Sequence, residues 1–274
     1  MSFDRPFEGV LRYIRVRWPS YLVIFGGGGL FAFILISLGA EDGRWPFVAL
    51  GMGILLILAY FLTTSLWAAH EQFGRRQVQP AHVIFEEGRI QPTDSLVYVG
   101  LGVRDIPLQL SRRLTRGRVQ AIDVYNPQLT PRATLSRERR LAKPTPPDPR
   151  LSWLEGHINL LPLPDYSVDL VTSSYTLSEF WQDGDRRLLL KEMRRILRPG
   201  GFLLLLEPAR TRTQLLMLGP AALRLPPTDY WRALLNDAGF HIVRETNVSD
   251  YYLCFRAEKP FPGTVQQLTL DLGI

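Results

Sequence analysis

The sequence predicts an α/β protein in which a doubly wound, mainly parallel sheet closes with an antiparallel strand pair and follows a transmembrane helical hairpin. Two long uncharged runs lie close to the N-terminus, and beyond them short apolar runs alternate with helical patterns. Of the 274 residues, 46% are apolar and 11% aromatic, a composition that excludes a disordered chain. Cys254 is the single cysteine, which excludes a disulfide-stapled scaffold.

The two uncharged runs are long enough to be membrane spans. The first, from Trp18 to Ala40, has 23 residues, and the second, from Trp45 to Ala69, has 25. A helix needs about 20 apolar residues to cross the bilayer core, so we expect spanning helices at 20–40 and 46–69. A cleaved signal peptide is disfavoured, because a second apolar run follows the first at once. A buried helical hairpin of a soluble protein is the remaining alternative.

Basic residues predict the orientation of this hairpin. They flank its outer ends, at Arg5, Arg12, Arg15, Arg17, Arg75 and Arg76. The connecting loop, 41–44, has one arginine and two acids, so the positive-inside tendency places both termini in the cytoplasm. We therefore expect an integral membrane protein with a basic cytoplasmic N-terminus at 1–19, a linker or helix at 70–93 and a cytoplasmic domain at 94–274.

The rest of the chain alternates between strand and helix patterns. Apolar runs predict parallel strands at 95–99, 118–123, 151–155, 168–173 and 202–206. Helical spacing predicts helices at 106–115, 127–143, 185–197 and 228–238. Gly117, Gly239 and the Arg-Pro-Gly-Gly turn at 198–201 separate these elements. The final runs, 240–246 and 251–258, predict the closing antiparallel pair.

Two features follow the first two strands, where sheets of this class bind ligands. Gly100 and Gly102 follow the first strand and let a ligand approach the backbone, and Asp123 ends the second strand, where a carboxylate accepts hydrogen bonds from a ribose diol. Each feature alone is also typical of a turn or a helix cap. Together they favour a nucleoside-containing cofactor. A nicotinamide dinucleotide is an alternative that Asp105 opposes, because it replaces the third glycine of G-x-G-x-x-G.

Four further stretches form a recognisable pattern, namely GHINLLPLPDYSVDLV (156–171), YTL (175–177), LKEMRRILRPGG (190–201) and LNDAGF (235–240). Over about residues 94–260 the sequence resembles class I S-adenosylmethionine-dependent methyltransferases, in particular the group that includes the ubiquinone and menaquinone methyltransferases. The resemblance implies a Rossmann-like methyltransferase sheet, a methyl-transfer activity and S-adenosyl-L-methionine as the cofactor.

The resemblance also implies where the cofactor is held. Carried over by position, the contacts fall on Tyr98, Gly100, Gly102, Asp123, His157, Ile158 and Ser173. The first three belong to the glycine loop at 98–104, Asp123 is the ribose acid, the next two lie beside the adenine, and Ser173 lies beside the methionine part. The chain departs from the family pattern at Tyr98 and His157, which replace acids, and at Arg104, which replaces a glycine. A domain that binds the cofactor without catalysis is therefore the alternative.

The chemistry of methyl transfer leaves the catalytic residues unknown. The sulfonium already activates the methyl group, so alignment of the acceptor supplies much of the barrier reduction, and a base is needed only where the acceptor loses a proton. His157, Tyr175 and Glu179 are candidates for that base. Each has an ordinary packing or surface role as the alternative.

The anchor favours the lipid bilayer and a hydrophobic small-molecule acceptor as partners. The basic segment, which contains Arg132, Arg137, Arg139, Arg140 and Lys143, either contacts anionic headgroups or is a solvated helix face. The apolar stretch 215–225 either lines an acceptor pocket, dips toward the bilayer or forms an ordinary buried helix. We expect no nucleic acid, since the basic residues are not interleaved with aromatic ones, and no metal, since the four histidines are scattered. Protein partners are left open.

Overall fold

The computed structural model describes residues 6–74, 79–142 and 147–261. The chain divides into two compact units. The first holds the N-terminal helices together with Thr213–Leu223, and the second holds every described strand. Four of the basic residues singled out in the sequence lie outside the described residues, namely Arg5, Arg75, Arg76 and Lys143.

The first unit begins with a long helical hairpin. Its elements are helix α1 (Pro6–Tyr21), a π-helical segment (Leu22–Gly27), α2 (Gly28–Glu41) and α3 (Trp45–Gly74). The backbone stays in the right-handed helical region through the π-helical segment, so α1 and α2 form one continuous arm. Gly43, with φ +67°, turns the chain between α2 and α3. The predicted hairpin is present, and its first arm begins well before residue 20.

Small residues bring the arms of the hairpin together. A Cβ on Gly51 of α3 would lie 2.7 Å from the Ala32 carbonyl oxygen and 2.6 Å from Ile36 Cγ1, so this contact requires glycine. A hydrogen bond of 2.5 Å joins Tyr21 Oη to Ser65 Oγ. Close backbone approach at small residues and interhelical hydrogen bonds are the interactions that hold helices together in lipid.

The hairpin leaves most of its apolar side chains exposed. Val23, Phe33 and Leu56 are 68%, 65% and 68% exposed. The stretches Ile14–Glu41 and Trp45–Trp67 are long and apolar enough to cross a membrane. Monomeric soluble proteins seldom expose continuous apolar surface of this extent.

The second unit is built on one seven-stranded sheet. Its strands are β1 (Leu96–Gly100), β2 (Val119–Asp123), β3 (Leu151–Glu155), β4 (Val168–Ser174), β5 (Leu197–Pro208), β6 (His241–Val248) and β7 (Tyr252–Glu258). The spatial order is β3-β2-β1-β4-β5-β7-β6. The first five strands are parallel, and β7 runs antiparallel to both β5 and β6. The doubly wound sheet with its closing antiparallel pair is therefore confirmed.

Helices cover both faces of the sheet. They are α4 (Pro80–Gly88), α5 (Asp105–Ser111), α6 (Ala133–Leu141), α7 (Asp183–Ile196) and α9 (Thr228–Asp237), while α8 (Arg212–Leu218) lies almost wholly in the first unit. On one face Ile84 of α4 and Leu110 of α5 are fully buried. On the other, Met193 of α7 and Trp231 of α9 are fully buried. Each such side chain stabilises the fold by about 1.5–3 kcal/mol through its removal from water.

Some predicted element boundaries are wrong. The helix expected at 106–115 already ends at Ser111. The helix expected at 127–143 is confined to α6, because Pro131 disfavours helical backbone at Thr130. Thr130 instead closes a turn, its N–H donating to the Asn126 carbonyl oxygen at 2.9 Å. The Arg-Pro-Gly-Gly segment was expected to separate α7 from the next strand, but β5 already begins at Leu197. Gly200, with φ +77°, joins this strand to the end of β7 by donating to the Lys259 carbonyl oxygen at 2.8 Å.

Candidate functional site

The candidate site lies where the strand order reverses, between β1 and β4. The chain runs outward from this point in both directions, and α/β sheets of this kind bind ligands at the carboxyl ends of such strands. Gly100 at the end of β1 pairs in register with Asp123 at the end of β2, and Val99 pairs with Ser173 of β4. The sheet thus brings together three of the predicted cofactor contacts, Gly100, Asp123 and Ser173.

The turn after β1 depends on glycine. Gly102 has φ +72°, a backbone conformation that side chains disfavour. A Cβ there would lie 2.4 Å from Asp123 Oδ2, so the carboxylate stands directly against the Gly102 backbone. A ligand seated on this turn can therefore contact the main chain and Asp123 together.

Both oxygens of Asp123 accept hydrogen bonds from the chain. Oδ1 accepts from the Tyr125 backbone N–H at 3.0 Å, and Oδ2 accepts from Arg139 Nη1 at 2.7 Å. Arg139 also donates to the Leu101 carbonyl oxygen, and its guanidinium lies 4.0 Å from the centre of the Tyr125 ring. From the sequence, Arg139 was assigned only to a basic segment, because no spacing rule links it to Asp123, which lies 16 positions earlier.

Tyr98 lies beneath the turn rather than on its surface. The residue is buried, and its Oη and the Ser174 Oγ form a hydrogen bond of 3.0 Å. A Cβ on Gly100 would lie 2.5 Å from the Tyr98 ring, so the ring supports the turn from below. Burial raises the pKa of the Tyr98 phenol well above its ordinary value. The position where the family pattern has an acid is occupied here by a neutral core side chain.

The segment after β4 is strained and tightly held. Ser173 Oγ is buried and has no hydrogen-bond partner among the described residues. Tyr175 adopts φ +53°, and its ring meets Tyr252 edge-on with 5.6 Å between ring centres. Strained backbone of this kind is concentrated at ligand and active sites.

Glu207, near the end of β5, holds this segment in place, and the sequence analysis missed it. Its fully buried carboxylate accepts backbone hydrogen bonds from Thr176 (2.9 Å), Leu177 (2.7 Å) and Ser178 (3.1 Å). Burial raises the pKa of Glu207 from 4.5 to about 7, despite these hydrogen bonds. The sequence did contain a signal for this residue, because Glu207 directly follows the apolar run at 202–206.

The remaining predicted residues lie on separate segments around the site. His157 is exposed, its Nδ1 accepting from the Asn159 backbone N–H at 3.4 Å, and the adjacent Ile158 is buried. Glu179 Oε1 accepts from Arg132 Nη1 at 3.0 Å. Among the described residues, no group of three or more histidine, cysteine, aspartate or glutamate side chains is arranged to hold a metal ion.

Comparisons with known proteins agree with this architecture. Residues 97–205 match the model of a methyltransferase domain family. The ubiquinone/menaquinone biosynthesis C-methyltransferase UbiE of Shewanella frigidimarina (strain NCIMB 400) is 24% identical over 202 residues, which cover 73% of this chain and 74% of the relative. The 2-phytyl-1,4-naphtoquinone methyltransferase of Trichormus variabilis (strain ATCC 29413 / PCC 7937) is 29% identical over 139 residues, 48% of this chain and 57% of that protein.

Solved structures share the fold. A SAM-dependent methyltransferase from Aquifex aeolicus superposes with a TM-score of 0.51 at 20% identity, covering 69% of this chain and 93% of its own. The [4+2]-cyclase SpnF superposes with a TM-score of 0.50 at 19% identity, covering 72% of this chain and 83% of its own.

Proposed function

We propose that this chain is a class I S-adenosylmethionine-dependent methyltransferase that is anchored in a membrane by its N-terminal hairpin and methylates a lipid-soluble or membrane-associated small molecule. The observation that carries the membrane part of the proposal is the exposed apolar surface of the hairpin, which includes Val23, Phe33 and Leu56. Lipid would cover this surface at a gain of about 25 cal/mol for each Å² removed from water.

The residues at the carboxyl ends of β1, β2 and β4 fit the cofactor. Asp123 offers a carboxylate to the ribose hydroxyls, and Gly102 has no side chain of its own on the same side, where Arg139 Nη1 lies in the structure. The buried Ser173 Oγ supplies a hydrogen-bonding group beside β1 for the methionine part. Ile158 and His157 would bind the adenine, while Tyr98 supports the turn at Gly100 from the core. When bound, the cofactor would supply an activated methyl group, whose carbon the acceptor attacks in line while its bond to sulfur breaks and S-adenosylhomocysteine leaves.

The chain contributes alignment more than proton transfer. Glu207 holds the Thr176–Ser178 backbone by three hydrogen bonds, and this segment continues from the strained Tyr175. A rigid segment beside the reacting groups would favour in-line geometry. Such alignment can lower the barrier to methyl transfer by several kcal/mol. His157, Tyr175 and Glu179 remain candidates for the base that a hydroxyl acceptor would require.

The acceptor class follows from the anchor and from the relatives. The names of the two relatives describe a C-methyltransferase of ubiquinone and menaquinone biosynthesis and a 2-phytyl-1,4-naphtoquinone methyltransferase. An enzyme held at the bilayer surface meets such apolar acceptors at a raised local concentration. A quinone precursor or another isoprenoid is therefore the acceptor class that we propose.

The orientation of the anchor remains a proposal based on charge. Arg15 and Arg17 precede the uncharged run that begins at Trp18, and the loop after this run carries Glu41 and Asp42. The positive-inside tendency then puts the catalytic domain and both termini in the cytoplasm. Nucleic acid has no place in this proposal.

Membrane fractionation and a methyl-transfer assay test the proposal together. The full chain should stay in the membrane pellet after washes with high salt and alkaline carbonate. Membranes containing it should then transfer labelled methyl from S-adenosylmethionine into the lipid extract. Asp123→Asn should abolish the labelling, whereas Asp169→Asn, an exposed aspartate paired with Arg198, should not change it. Release of the chain by carbonate would refute the anchor, and label confined to water-soluble products would refute the acceptor class.

A further inference from the structure

Arg139 occupies the surface that a ribose would use. Its Nη1 lies 2.7 Å from Asp123 Oδ2 and only 1.6 Å from where a Cβ on Gly102 would stand. The same nitrogen donates to the Leu101 carbonyl oxygen. The guanidinium therefore fills the space between the glycine turn and the carboxylate.

A ribose diol and this guanidinium need the same groups. The diol would donate to Asp123 from the side of Gly102, where no side chain of the turn intervenes. Asp123 Oδ1 is already engaged by the Tyr125 backbone N–H, so Oδ2 is the oxygen for which the two compete. Both cannot lie against Gly102 at once, because van der Waals radii forbid it.

We propose that Arg139 competes with the ribose of S-adenosylmethionine for Asp123, and so sets the affinity of the cofactor site. The inference rests on the proposed function, specifically on Asp123 as the ribose acid. Binding then requires the Arg139 side chain to leave the carboxylate. The long, flexible side chain on α6 permits this by rotation of its own bonds, without unfolding of the helix.

The resting position of Arg139 is stabilised from two sides. Asp123 gives a charge-assisted hydrogen bond, and the Tyr125 ring gives a cation–π contact with 4.0 Å between guanidinium carbon and ring centre. The pair is about three-quarters buried, with side-chain exposures of 27% and 23%, so water screens it only in part. The free energy needed to displace this arginine therefore opposes cofactor binding.

Titration of S-adenosylhomocysteine into the full chain in detergent micelles tests this competition, with the dissociation constant as the readout. Arg139→Gln removes the competing cation, so we expect the dissociation constant to fall about 5- to 10-fold, the equivalent of one partly buried ion pair. Arg140→Gln is the matched control, because Arg140 is exposed and bonds the Ser136 carbonyl oxygen. It should change the dissociation constant less than twofold. Arg139→Lys, which keeps the charge but loses the planar fork, should give an intermediate value.

A double-mutant cycle separates competition at Asp123 from a general effect of charge. Asp123→Asn should weaken binding, and Arg139→Gln should give no further gain in that background. An equal gain in affinity from Arg139→Gln in both backgrounds would overturn the inference and leave the proposed function intact. The same conclusion would follow if Arg139→Gln alone left binding unchanged or made it weaker. Failure of every variant and of the unaltered chain to bind would instead refute the cofactor site itself.

Discussion

Asp123 and Glu207 stand near the carboxyl ends of two parallel strands of the same sheet, β2 and β5, and their surroundings differ. The side chain of Asp123 is 23% exposed and is bonded to one arginine side chain and one backbone N–H. Glu207 is fully buried and is bonded to three successive backbone N–H groups. The arginine partner of the first acid can be exchanged for a ligand, whereas the three N–H partners of the second belong to the main chain.

The hydrogen-bond partners of a carboxylate thus distinguish an acid suited to ligand binding from one that stabilises the fold. A carboxylate paired with a flexible side chain at a glycine turn can accept new donors at little cost. A carboxylate that satisfies buried backbone N–H groups cannot be given up, because those groups have no other acceptor. We therefore expect Asp123 to control binding and Glu207 to control stability.

The largest expected effect is on stability. Glu207→Ala leaves three backbone N–H groups buried without their acceptor, so the free energy of unfolding should fall by about 3 kcal/mol. Asp123→Ala should lower it by less than about 1 kcal/mol, because its partners can turn to water. Chemical denaturation of the two full-length variants, followed by tryptophan fluorescence, makes the measurement. Equal losses of unfolding free energy in the two variants would show that the two carboxylates do not differ in their structural role.

The pH dependence of stability should follow Glu207. Its folded pKa of about 7 lies above the ordinary 4.5, so the folded state holds the proton more tightly than the unfolded chain. Below pH 4.5 both states are protonated and the group is neutral to stability. Between pH 4.5 and 7 the unfolded chain ionises this carboxyl while the folded state keeps its proton, so the unfolding free energy falls by about 3 kcal/mol and levels off above pH 7. The unfolding free energies of the unaltered chain and of Glu207→Gln, measured between pH 5 and 8.5, should therefore converge on or cross each other. Parallel curves would show that Glu207 does not titrate in this range.

A smaller effect is expected at Tyr98. Tyr98→Phe removes one buried hydrogen bond to Ser174, which should lower the unfolding free energy by about 1 kcal/mol. The affinity for S-adenosylhomocysteine should stay within twofold, since the ring still supports Gly100. Ser174→Ala removes the other partner and should behave alike. A tenfold loss of affinity in Tyr98→Phe alone would instead place the phenol in the cofactor site.

Much of the fold could be predicted, because its determinants are local. Largely apolar runs of five or six residues marked the parallel strands, and uncharged stretches marked the hairpin. Errors arose where one residue overrode a longer pattern. Pro131 shortened the helix that became α6, and Gly200 allowed β5 to begin early.

The site was predicted only in part, for a related reason. The proximity of Gly100, Gly102 and Asp123 could be predicted because each lies at or just beyond the end of its strand, where topology fixes the position. Arg139 and Glu207 were missed because their partners lie 16 or more positions away and depend on the packing of α6 and on the end of β4. Tyr98 was expected at the cofactor on the strength of its position in the loop, and only the packing of the chain reveals that its ring lies in the core.

The position of β7 bears on how the chain is made. This strand is the last of the seven to leave the ribosome, yet it lies inside the sheet, between β5 and β6. Until Tyr252–Glu258 has been synthesised, the apolar edge of β5 at Leu203–Leu206 has no antiparallel neighbour. An unpaired apolar edge is prone to aggregate. The hairpin helices emerge some 180 residues earlier, so with the membrane anchoring that we propose, their insertion would precede completion of the sheet.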